Sequence, residues 1–227
     1  AFRNGYKRPL VVLPCGGGKS YLFAEMARNT HGEVLILTHR RELLSQHNDL
    51  LNNLGINARV SMVLTEANRL GQYQRPALII TDEAHLSRSQ SWMRVLDYYN
   101  TYTVGFTATP VRLDGKPLGD MYDTLIEGVT VKWLIENHRL APFEYYAPTA
   151  VETDGLRVAG GDYVIRDMEQ LMSDRAIYSN VLKSWERLAG GDKTIAYCVS
   201  VKHAKETADM FCKAGYTARM ICGGTPE

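Results

Sequence analysis

The stretch Leu13-Pro14-Cys15-Gly16-Gly17-Gly18-Lys19-Ser20 (LPCGGGKS) lies between an apolar run at residues 10–13 and an amphipathic segment at residues 20–29. A glycine run followed by Lys-Ser is typical of a phosphate-binding loop between a strand and a helix. Leu13 occupies the position where the usual pattern G-x-x-x-x-G-K-[ST] has its first glycine. Taken alone, the stretch also fits a flexible glycine-rich turn with an incidental Lys-Ser.

Each residue of a phosphate-binding loop has a defined task. We expect Gly16, Gly17 and Gly18 to bind the phosphates of ATP, because backbone N–H groups converge on phosphate oxygens where side chains are absent. The Lys19 ammonium group would reach the β- and γ-phosphates, and the Ser20 hydroxyl group would bind Mg²⁺. The loop therefore predicts a nucleotide site at the start of the first helix.

The regions around the loop predict an α/β fold with a parallel sheet. Short apolar runs alternate with amphipathic segments through the first two-thirds of the chain, a pattern typical of strands joined by crossover helices. The predicted strands are residues 10–13, 34–37, 77–81 and 101–106, and the predicted helices are residues 20–29, 41–54 and 92–99.

A second α/β pattern begins after a looser region. It contains predicted helices at residues 180–189 and 201–213 and predicted strands at residues 193–198 and 218–222. Two strands are too few for an independent parallel sheet, so this part is expected to be only the start of a domain. The predicted organisation is a first domain at residues 1–138, a connection at residues 139–177 and the beginning of a second domain at residues 178–227.

Two carboxylates follow directly after the predicted strand at residues 77–81, in the sequence Asp82-Glu83-Ala84-His85. Open α/β sheets bind ligands at the carboxyl ends of their strands. We expect Asp82 to bind Mg²⁺ through water, and Glu83 to orient and deprotonate the attacking water. Alone, the pair also fits an acidic turn that caps the next helix. Because the loop and the pair both follow buried strands of one sheet, they are expected to share one catalytic site with Lys19.

The composition sets few limits on function. The chain has 227 residues, of which 45% are hydrophobic and 22% charged, and its net charge of +1 implies that any polyanion site is a local patch. The apolar runs are too short to cross a bilayer, so no membrane association is expected. The four cysteines have neither C-x-x-C nor zinc-site spacing, which favours reduced intracellular thiols.

Several segments resemble the motifs of superfamily 2 helicases and translocases. The loop, residues 82–85 (DEAH) and residues 107–109 (TAT) resemble motifs I, II and III in order and in rough spacing, and residues 38–43 (THRREL) resemble motif Ia. Residues 105–115 are similar to the branch that includes restriction-enzyme motors and phage or repair DNA helicases. Weaker similarities relate residues 63–70 to motif Ib and residues 194–200 to motif IV.

This resemblance implies a P-loop RecA-like first domain followed by the beginning of a second RecA-like domain. It also implies that Thr107 and Thr109 couple the γ-phosphate state to movement between domains, with His85 as the bridge from motif II. A lone histidine at a helix start would otherwise be interpreted as a backbone-bonded residue.

Contacts to nucleic acid are implied for motif Ia. Thr38, His39 and Arg41 would contact the sugar–phosphate backbone of a single strand, and the end of a strand leading into a helix offers N–H groups for such contacts. Without the resemblance, Arg40 and Arg41 are best interpreted as a solvated charge pair. The aromatic residues Trp133, Tyr145 and Tyr146 are interpreted as packing residues rather than as base-stacking residues.

The resemblance implies an ATP-dependent DNA helicase or translocase that couples hydrolysis of Mg²⁺–ATP to movement on nucleic acid. The implied cofactors are ATP and Mg²⁺, and the implied partner is DNA, as a single strand or a single-strand/double-strand junction. A nuclease or a replication or repair protein is a further expected partner. The expected location is intracellular: cytoplasmic for a bacterial or phage protein and nuclear for a eukaryotic one.

Two alternatives to a DNA motor stay open. An RNA helicase of the same superfamily would use the same backbone contacts, although no residue set here requires the 2′-OH. A nucleotide-gated nucleic-acid-binding subunit without motor action is the second alternative. Segments resembling motifs V and VI, and an adenine-recognising segment upstream of motif I, are not found, so a longer parent protein is expected.

Overall fold

The computed structural model describes residues 1–86, 89–110, 118–146, 155–159, 162–172, 175–223 and 225. The chain divides into two compact units, Ala1–Tyr145 and Tyr146–Glu227. Each unit is described by itself below. All four cysteines carry free thiols. Within the described ranges, no helix has both the length and the apolar character needed to cross a membrane.

The first unit is built on a six-stranded sheet in the order β3-β2-β4-β5-β1-β6, with every neighbouring pair parallel. This arrangement confirms the predicted α/β fold with a parallel sheet. The strands are β1 (Pro9–Val12), β2 (Val34–Thr38), β3 (Arg59–Met62), β4 (Leu78–Thr81), β5 (Tyr102–Thr107) and β6 (Thr124–Glu127).

Helices connect most of these strands and cover both faces of the sheet. They are α1 (Lys19–Arg28), α2 (Arg41–Asn53), α3 (Val63–Asn68), α4 (Gln90–Tyr99) and α5 (Val131–Glu136). The three helices predicted for this part of the chain are confirmed within two residues at each end. Strand β3, helix α3, strand β6 and helix α5 were not predicted from the sequence.

The continuous apolar runs reflect a sheet that is buried on both faces. Every residue of β2 is buried, and its side chains alternate between two cores. Leu35 and Leu37 pack with Trp92 of α4 on one face, whereas Val34 and Ile36 pack with Phe23 of α1 on the other. Successive side chains of a strand point to opposite faces, so a strand covered on both sides needs apolar residues at every position.

The second unit is mainly helical. It contains a short antiparallel hairpin of β7 (Val158–Ala159) and β8 (Asp162–Tyr163), followed by helices α6 (Ile165–Met172), α7 (Arg175–Ala189) and α8 (Val201–Lys213). The hairpin and α6 lie in the region interpreted from sequence as a connection. Helix α8 has the predicted bounds, and α7 begins five residues earlier than predicted.

The prediction of two strands in the second unit is wrong for the part of the chain that the structure describes. Residues 193–198 and 218–222 belong to no sheet among the described residues, and Ile195 and Tyr197 are 80% and 93% exposed. A strand persists only where neighbouring backbone groups pair with its N–H and C=O groups. The described part of this unit provides no such neighbour, so apolar patterning alone does not produce a sheet here.

Candidate nucleotide-binding site

The loop that connects β1 to α1 ends in three consecutive glycines, residues 16–18. Gly16 and Gly18 have φ angles of 76° and 85°, in the left-handed region that favours glycine. A Cβ atom on Gly17 would lie 2.8 Å from Leu13 Cδ2 and 2.9 Å from the carbonyl oxygen of Pro14. The loop thus requires glycine for its conformation and for its close packing, as a cradle for phosphate oxygens does.

Leu13 is part of the core and not of the cradle. Its side chain is 6% exposed and packs against Gly17 and Gly128, and its N–H group donates to Thr107 O at 2.9 Å. A Cβ atom at Gly128 would overlap the Leu13 side chain. The absence of the usual first glycine is therefore accommodated by a glycine on the segment that follows β6.

Lys19 and Ser20 form the first turn of α1, and both are half-buried. No side chain of the described residues caps this helix start, which is preceded by Gly18. Among the described residues, no carboxylate lies within ion-pair distance of the Lys19 ammonium group. An uncapped helix start beside a lysine is favourable for an anion, because both supply positive charge.

Asp82 lies at the carboxyl end of β4 and is buried, at 4% exposure. Its Oδ2 atom is 3.1 Å from Nε2 of His47, and its Oδ1 atom accepts a hydrogen bond of 3.0 Å from the Glu83 N–H group. Its own N–H group donates to Leu37 O at 3.0 Å. The carboxylate is therefore held in a fixed orientation by Glu83, which follows β4, and by His47 of α2.

Glu83 adopts a strained backbone conformation. Its φ angle of 52° lies in the left-handed region, which costs a non-glycine residue about 1–3 kcal/mol. The side chain is half-buried, and Oε2 lies 3.5 Å from Nδ1 of His85. Such strain is concentrated at functional sites, where the surrounding structure fixes a side chain in an otherwise unfavourable position.

His85 joins the acidic pair to the end of β5. Its Nδ1 atom is 3.1 Å from Oγ1 of Thr107, which donates to Thr109 O at 2.8 Å. Because the Thr107 hydroxyl proton is used in that bond, Nδ1–H of His85 is the donor to Thr107. The N–H group of Thr109 donates to the same hydroxyl oxygen at 3.1 Å. The three residues predicted to couple motif II to motif III are thus in direct contact.

The sheet places these loops side by side. Strand β5 lies between β1 and β4, and all three strands run in the same direction. The glycine-rich loop after β1, Thr107 at the end of β5 and Asp82 after β4 therefore lie at one edge of the sheet. This is the edge at which open α/β sheets bind ligands.

The motif Ia residues lie at the end of β2 and differ in accessibility. Thr38 is completely buried, and its Oγ1 atom has no hydrogen-bond partner among the described residues. His39 is half-buried and its Nε2 atom accepts a hydrogen bond of 3.1 Å from Nε of Arg40. Burial lowers the pKa of His39, and the charge of Arg40 lowers it further. Arg41 begins α2 and is exposed.

The expectation that Thr38 contacts a nucleic-acid backbone therefore does not apply to its side chain as this structure places it. A buried side chain inside a parallel sheet is out of reach of a phosphate at the surface. Residues 111–117, which include Arg112 of the motif III region, lie outside the described residues.

Sequence reasoning missed two residues that pack around this edge. His47 of α2 contacts Asp82, and Leu140 packs over the loop, where a Cβ atom on Gly16 would lie 2.6 Å from Leu140 Cδ2. His47 could have been noticed in the sequence, because it occupies a position in the apolar stripe of α2. No local pattern indicates the contact of Leu140, because it depends on where the chain after α5 returns.

A glycine-rich loop before a helix, an acidic pair after β4 and a six-stranded parallel sheet define a P-loop α/β domain. Residues 1–72 and 59–112 match the family described as "Type III restriction enzyme, res subunit". The first unit thus contains a superfamily 2 helicase-related domain of this family.

Three relatives support this assignment. A 51.5 kDa protein of Lactococcus phage (isolate 7-9) is 35% identical over 225 residues, which are 96% of this chain and 50% of that protein. The irc3 protein of Schizosaccharomyces pombe, a candidate mitochondrial ATP-dependent helicase, is 27% identical over 100% of this chain and 43% of its own length. The endonuclease subunit of the Escherichia coli type I restriction enzyme EcoAI is 24% identical over 90% of this chain and 31% of that subunit. The chain spans about half the length, or less, of these relatives.

Proposed function

We propose that this chain forms the ATP-hydrolysing part of a DNA helicase or translocase, in which hydrolysis of Mg²⁺–ATP is coupled to movement on nucleic acid. The observation that carries the proposal is the position of three elements at one edge of the sheet. These are the glycine-rich loop with Lys19, the oriented carboxylate of Asp82 and the contact of His85 with Thr107.

The residues present fit a magnesium nucleotide. A hydroxyl group at Ser20 and a carboxylate at Asp82 are oxygen donors of the kind that Mg²⁺ prefers, and the phosphates and water supply the remaining ligands. No cluster of three or more His, Cys, Asp and Glu side chains suited to a metal occurs among the described residues. A nucleotide-borne ion does not require such a cluster. When bound, it would neutralise charge on the phosphates.

In this proposal Lys19 binds the β- and γ-phosphates, and the N–H groups of Gly16 and Gly18 surround them. The expected contact of the Gly17 N–H group does not apply in this structure, because that group donates to Pro14 O at 3.0 Å. Glu83 orients a water molecule for in-line attack on the γ-phosphorus and accepts its proton as the bond from phosphorus to the β–γ bridging oxygen breaks. The products are ADP and inorganic phosphate. The strained backbone of Glu83 supports this role, since it fixes the direction of the carboxylate.

The link from His85 to Thr107 and Thr109 supports a coupling role. The side chains of His85 and Thr107 and the backbone of Thr109 join the acidic pair to the end of the neighbouring strand through hydrogen bonds of 2.8–3.1 Å. A change at the γ-phosphate that moves Glu83 would therefore be transmitted to β5. This is a direct physical connection between two elements of the sheet and not merely a nearness in space.

For nucleic acid, the proposal assigns backbone contacts to Arg41 and His39. Arg41 is exposed at the start of α2, where a charged guanidinium and the helix N–H groups can both bind a phosphate. The choice of DNA is supported by the restriction-enzyme family match and by the restriction-enzyme relative. A nuclease or a repair protein as partner stays a prediction.

We also propose that residues 178–227, within the second unit, are the beginning of a second RecA-like domain. The amphipathic helices α7 and α8 at the predicted places support this assignment. A structure of a longer form of the protein tests it, because residues 193–198 and 218–222 would then pair in a parallel sheet. Helical or irregular structure at both places in that form would contradict it.

The test of the motor function is ATP turnover by the complete protein with single-stranded DNA, with single-stranded RNA and without nucleic acid. We expect stimulation by DNA and displacement of a strand, or of a bound protein, from a duplex. Stimulation by RNA alone would contradict the choice of DNA. Stimulation without any displacement would identify a nucleotide-gated binding subunit.

The test of the catalytic base is Glu83→Gln beside the matched control Glu136→Gln, which changes an exposed carboxylate on α5. Glu83→Gln should abolish turnover but retain ATP binding, because the amide keeps the size of the side chain and cannot accept the proton. Glu136→Gln should behave as the wild type. Normal hydrolysis by Glu83→Gln would show that another group is the base.

A further inference from the structure

A buried histidine contacts the acidic pair from a helix that has no assigned part in hydrolysis. His47 lies on α2 with 3% of its surface exposed, between Leu43 and Leu51 on the same helix face. Its Nε2 atom is 3.1 Å from Oδ2 of Asp82, and both side chains are about 5% exposed or less. This position within an apolar stripe would ordinarily hold an aliphatic residue.

The direction of this hydrogen bond follows from the chemistry of its partners. An ionised carboxylate only accepts, so Nε2 of His47 carries the proton and donates it to Oδ2. The other oxygen, Oδ1, accepts from the Glu83 N–H group. Among the residues that the structure describes, each carboxylate oxygen of Asp82 therefore has one donor, and the two donors together fix the carboxylate plane.

The ring of His47 is itself held in place. Its centroid lies 5.3 Å from that of Phe23, with the two planes tilted by 56°. Phe23 belongs to α1, the helix that starts at Lys19 directly after the glycine-rich loop. His47 thus touches the helix that follows the phosphate cradle and the carboxylate that follows β4.

We propose that His47 is a positioning residue that orients the Asp82 carboxylate for the magnesium nucleotide and fixes it relative to α1. The proposal rests on the proposed function, because it assumes that Asp82 faces the metal of a bound nucleotide. Residues that hydrogen-bond to a metal ligand set its direction, and their loss typically weakens metal affinity or activity by about 10–100-fold.

A purely structural role for His47 makes a different prediction. If the hydrogen bond only satisfies two buried polar groups, its loss lowers the stability of the fold and leaves the Mg²⁺ requirement of nucleotide binding unchanged. The Mg²⁺ requirement therefore distinguishes the two roles, whereas the melting temperature does not.

The experiment measures binding of a fluorescent ATP analogue as a function of Mg²⁺ concentration. The variants are His47→Leu, which removes the donor, and His47→Gln, which retains an N–H donor near the position of Nε2. The wild type and both variants are compared at a temperature at which circular dichroism shows each of them folded. We expect His47→Leu to raise the half-saturating Mg²⁺ concentration by about 10-fold or more, and His47→Gln by less than about 3-fold. Binding in EDTA should be the same for both variants and the wild type.

Two further variants complete the test. Leu51→Ala removes a buried side chain from the same helix and should lower the melting temperature without changing the Mg²⁺ requirement. His47→Phe keeps an aromatic ring against Phe23 and replaces His47→Leu if the latter does not fold.

The outcomes separate this proposal from the function on which it rests. A folded His47→Leu or His47→Phe variant with the Mg²⁺ requirement of the wild type would overturn the positioning role alone. Equal shifts in His47→Gln and His47→Leu would also overturn it, since the donor would then be irrelevant. If the wild type itself bound the nucleotide without any dependence on Mg²⁺, both the proposed function and the positioning role of His47 would be contradicted.

Discussion

The two compact units of this chain differ in how they bury apolar side chains. In the first unit, β2 and β4 are buried at every position between two cores. In the second unit, none of the side chains that the structure describes is fully buried. Trp185 of α7 there makes edge-on aromatic contacts with Phe211 of α8 and with Tyr216, which follows α8, at distances of 5.1 and 4.7 Å between ring centroids.

The difference shows what a parallel sheet contributes. A strand paired on both sides satisfies its backbone groups and presents side chains to two faces at once, so a few short strands generate a dense core. Two amphipathic helices bury one face each and leave the segments beside them exposed. The site residues that require fixed geometry all lie in the unit that has the sheet.

The largest expected difference between the units is in amide hydrogen exchange. Amides of β2 and β4 should exchange only on global unfolding, about 10³-fold or more slowly than those of residues 194–198, because a domain is stable by about 5–15 kcal/mol. Mass spectrometry or NMR at neutral pH measures both in one sample. Similar protection in the two segments would show that residues 194–198 are paired, and would remove the contrast between the units.

A matched pair of isoleucine substitutions tests the contrast in packing. Ile80→Ala removes a completely buried side chain from β4 and should lower the free energy of unfolding by about 2–5 kcal/mol. Ile195→Ala changes a side chain that is 80% exposed and should stay within about 0.5 kcal/mol of the wild type. Urea denaturation followed by circular dichroism gives both values. A large loss for Ile195→Ala would indicate a buried surface in the second unit.

The smallest expected difference between the units is in the unfolding free energy lost when an arginine–carboxylate pair is removed. Glu66 is buried and accepts hydrogen bonds of 2.7 and 2.6 Å from Nη1 of Arg59 and one of 2.6 Å from Tyr99 OH. Burial raises the pKa of Tyr99 to about 12, and the bond to Glu66 adds to the shift. Glu66→Gln should cost about 1–3 kcal/mol of unfolding free energy in urea denaturation, because charged hydrogen bonds are lost in the core.

The control for that substitution is Asp167→Asn in the second unit. Asp167 accepts from Nη2 of Arg157 at 2.7 Å, and this bond lowers the pKa of Asp167 to about 2. The pair is at the surface, so its loss should leave the denaturation midpoint unchanged. The depressed pKa means that the pair is fully formed above about pH 3.8 and is lost as the pH falls through about 2. A larger effect for Asp167→Asn than for Glu66→Gln would reverse the comparison.

The sequence predicted the parts of the fold that depend on local patterns. The apolar runs of β2 and β4 require burial on both faces, and the glycines before Lys19 require a special loop, so both are visible without a structure. Strand β3 was missed because Arg59 and Ser61 interrupt its apolar pattern, and Arg59 is tolerated there only through its ion pairs with Glu33 and Glu66. The two strands predicted for the second unit do not form among the described residues, because pairing depends on neighbours that a local pattern does not contain.

The candidate site was predictable in its loop and acidic pair and not in its supporting contacts. The residue types of 16–20 and 82–85, and their order along the chain, are enough to indicate their chemistry. The burial of Leu13 depends on Gly128, and the orientation of Asp82 depends on His47, each far away along the chain. Such contacts are created by the topology of the sheet, so a single sequence does not indicate them.

The central claim is that the loop at residues 13–20 binds the phosphates of ATP. Its most direct test measures the affinity of a fluorescent ATP analogue for three proteins in saturating Mg²⁺. These are the wild type, Lys19→Ala and the control Lys132→Ala, which changes an exposed lysine on α5. We predict that Lys19→Ala binds about 10–100-fold more weakly, because a charged hydrogen bond to phosphate is lost, and that Lys132→Ala binds as the wild type does. Equal affinity of Lys19→Ala and the wild type, with both folded, would contradict the claim.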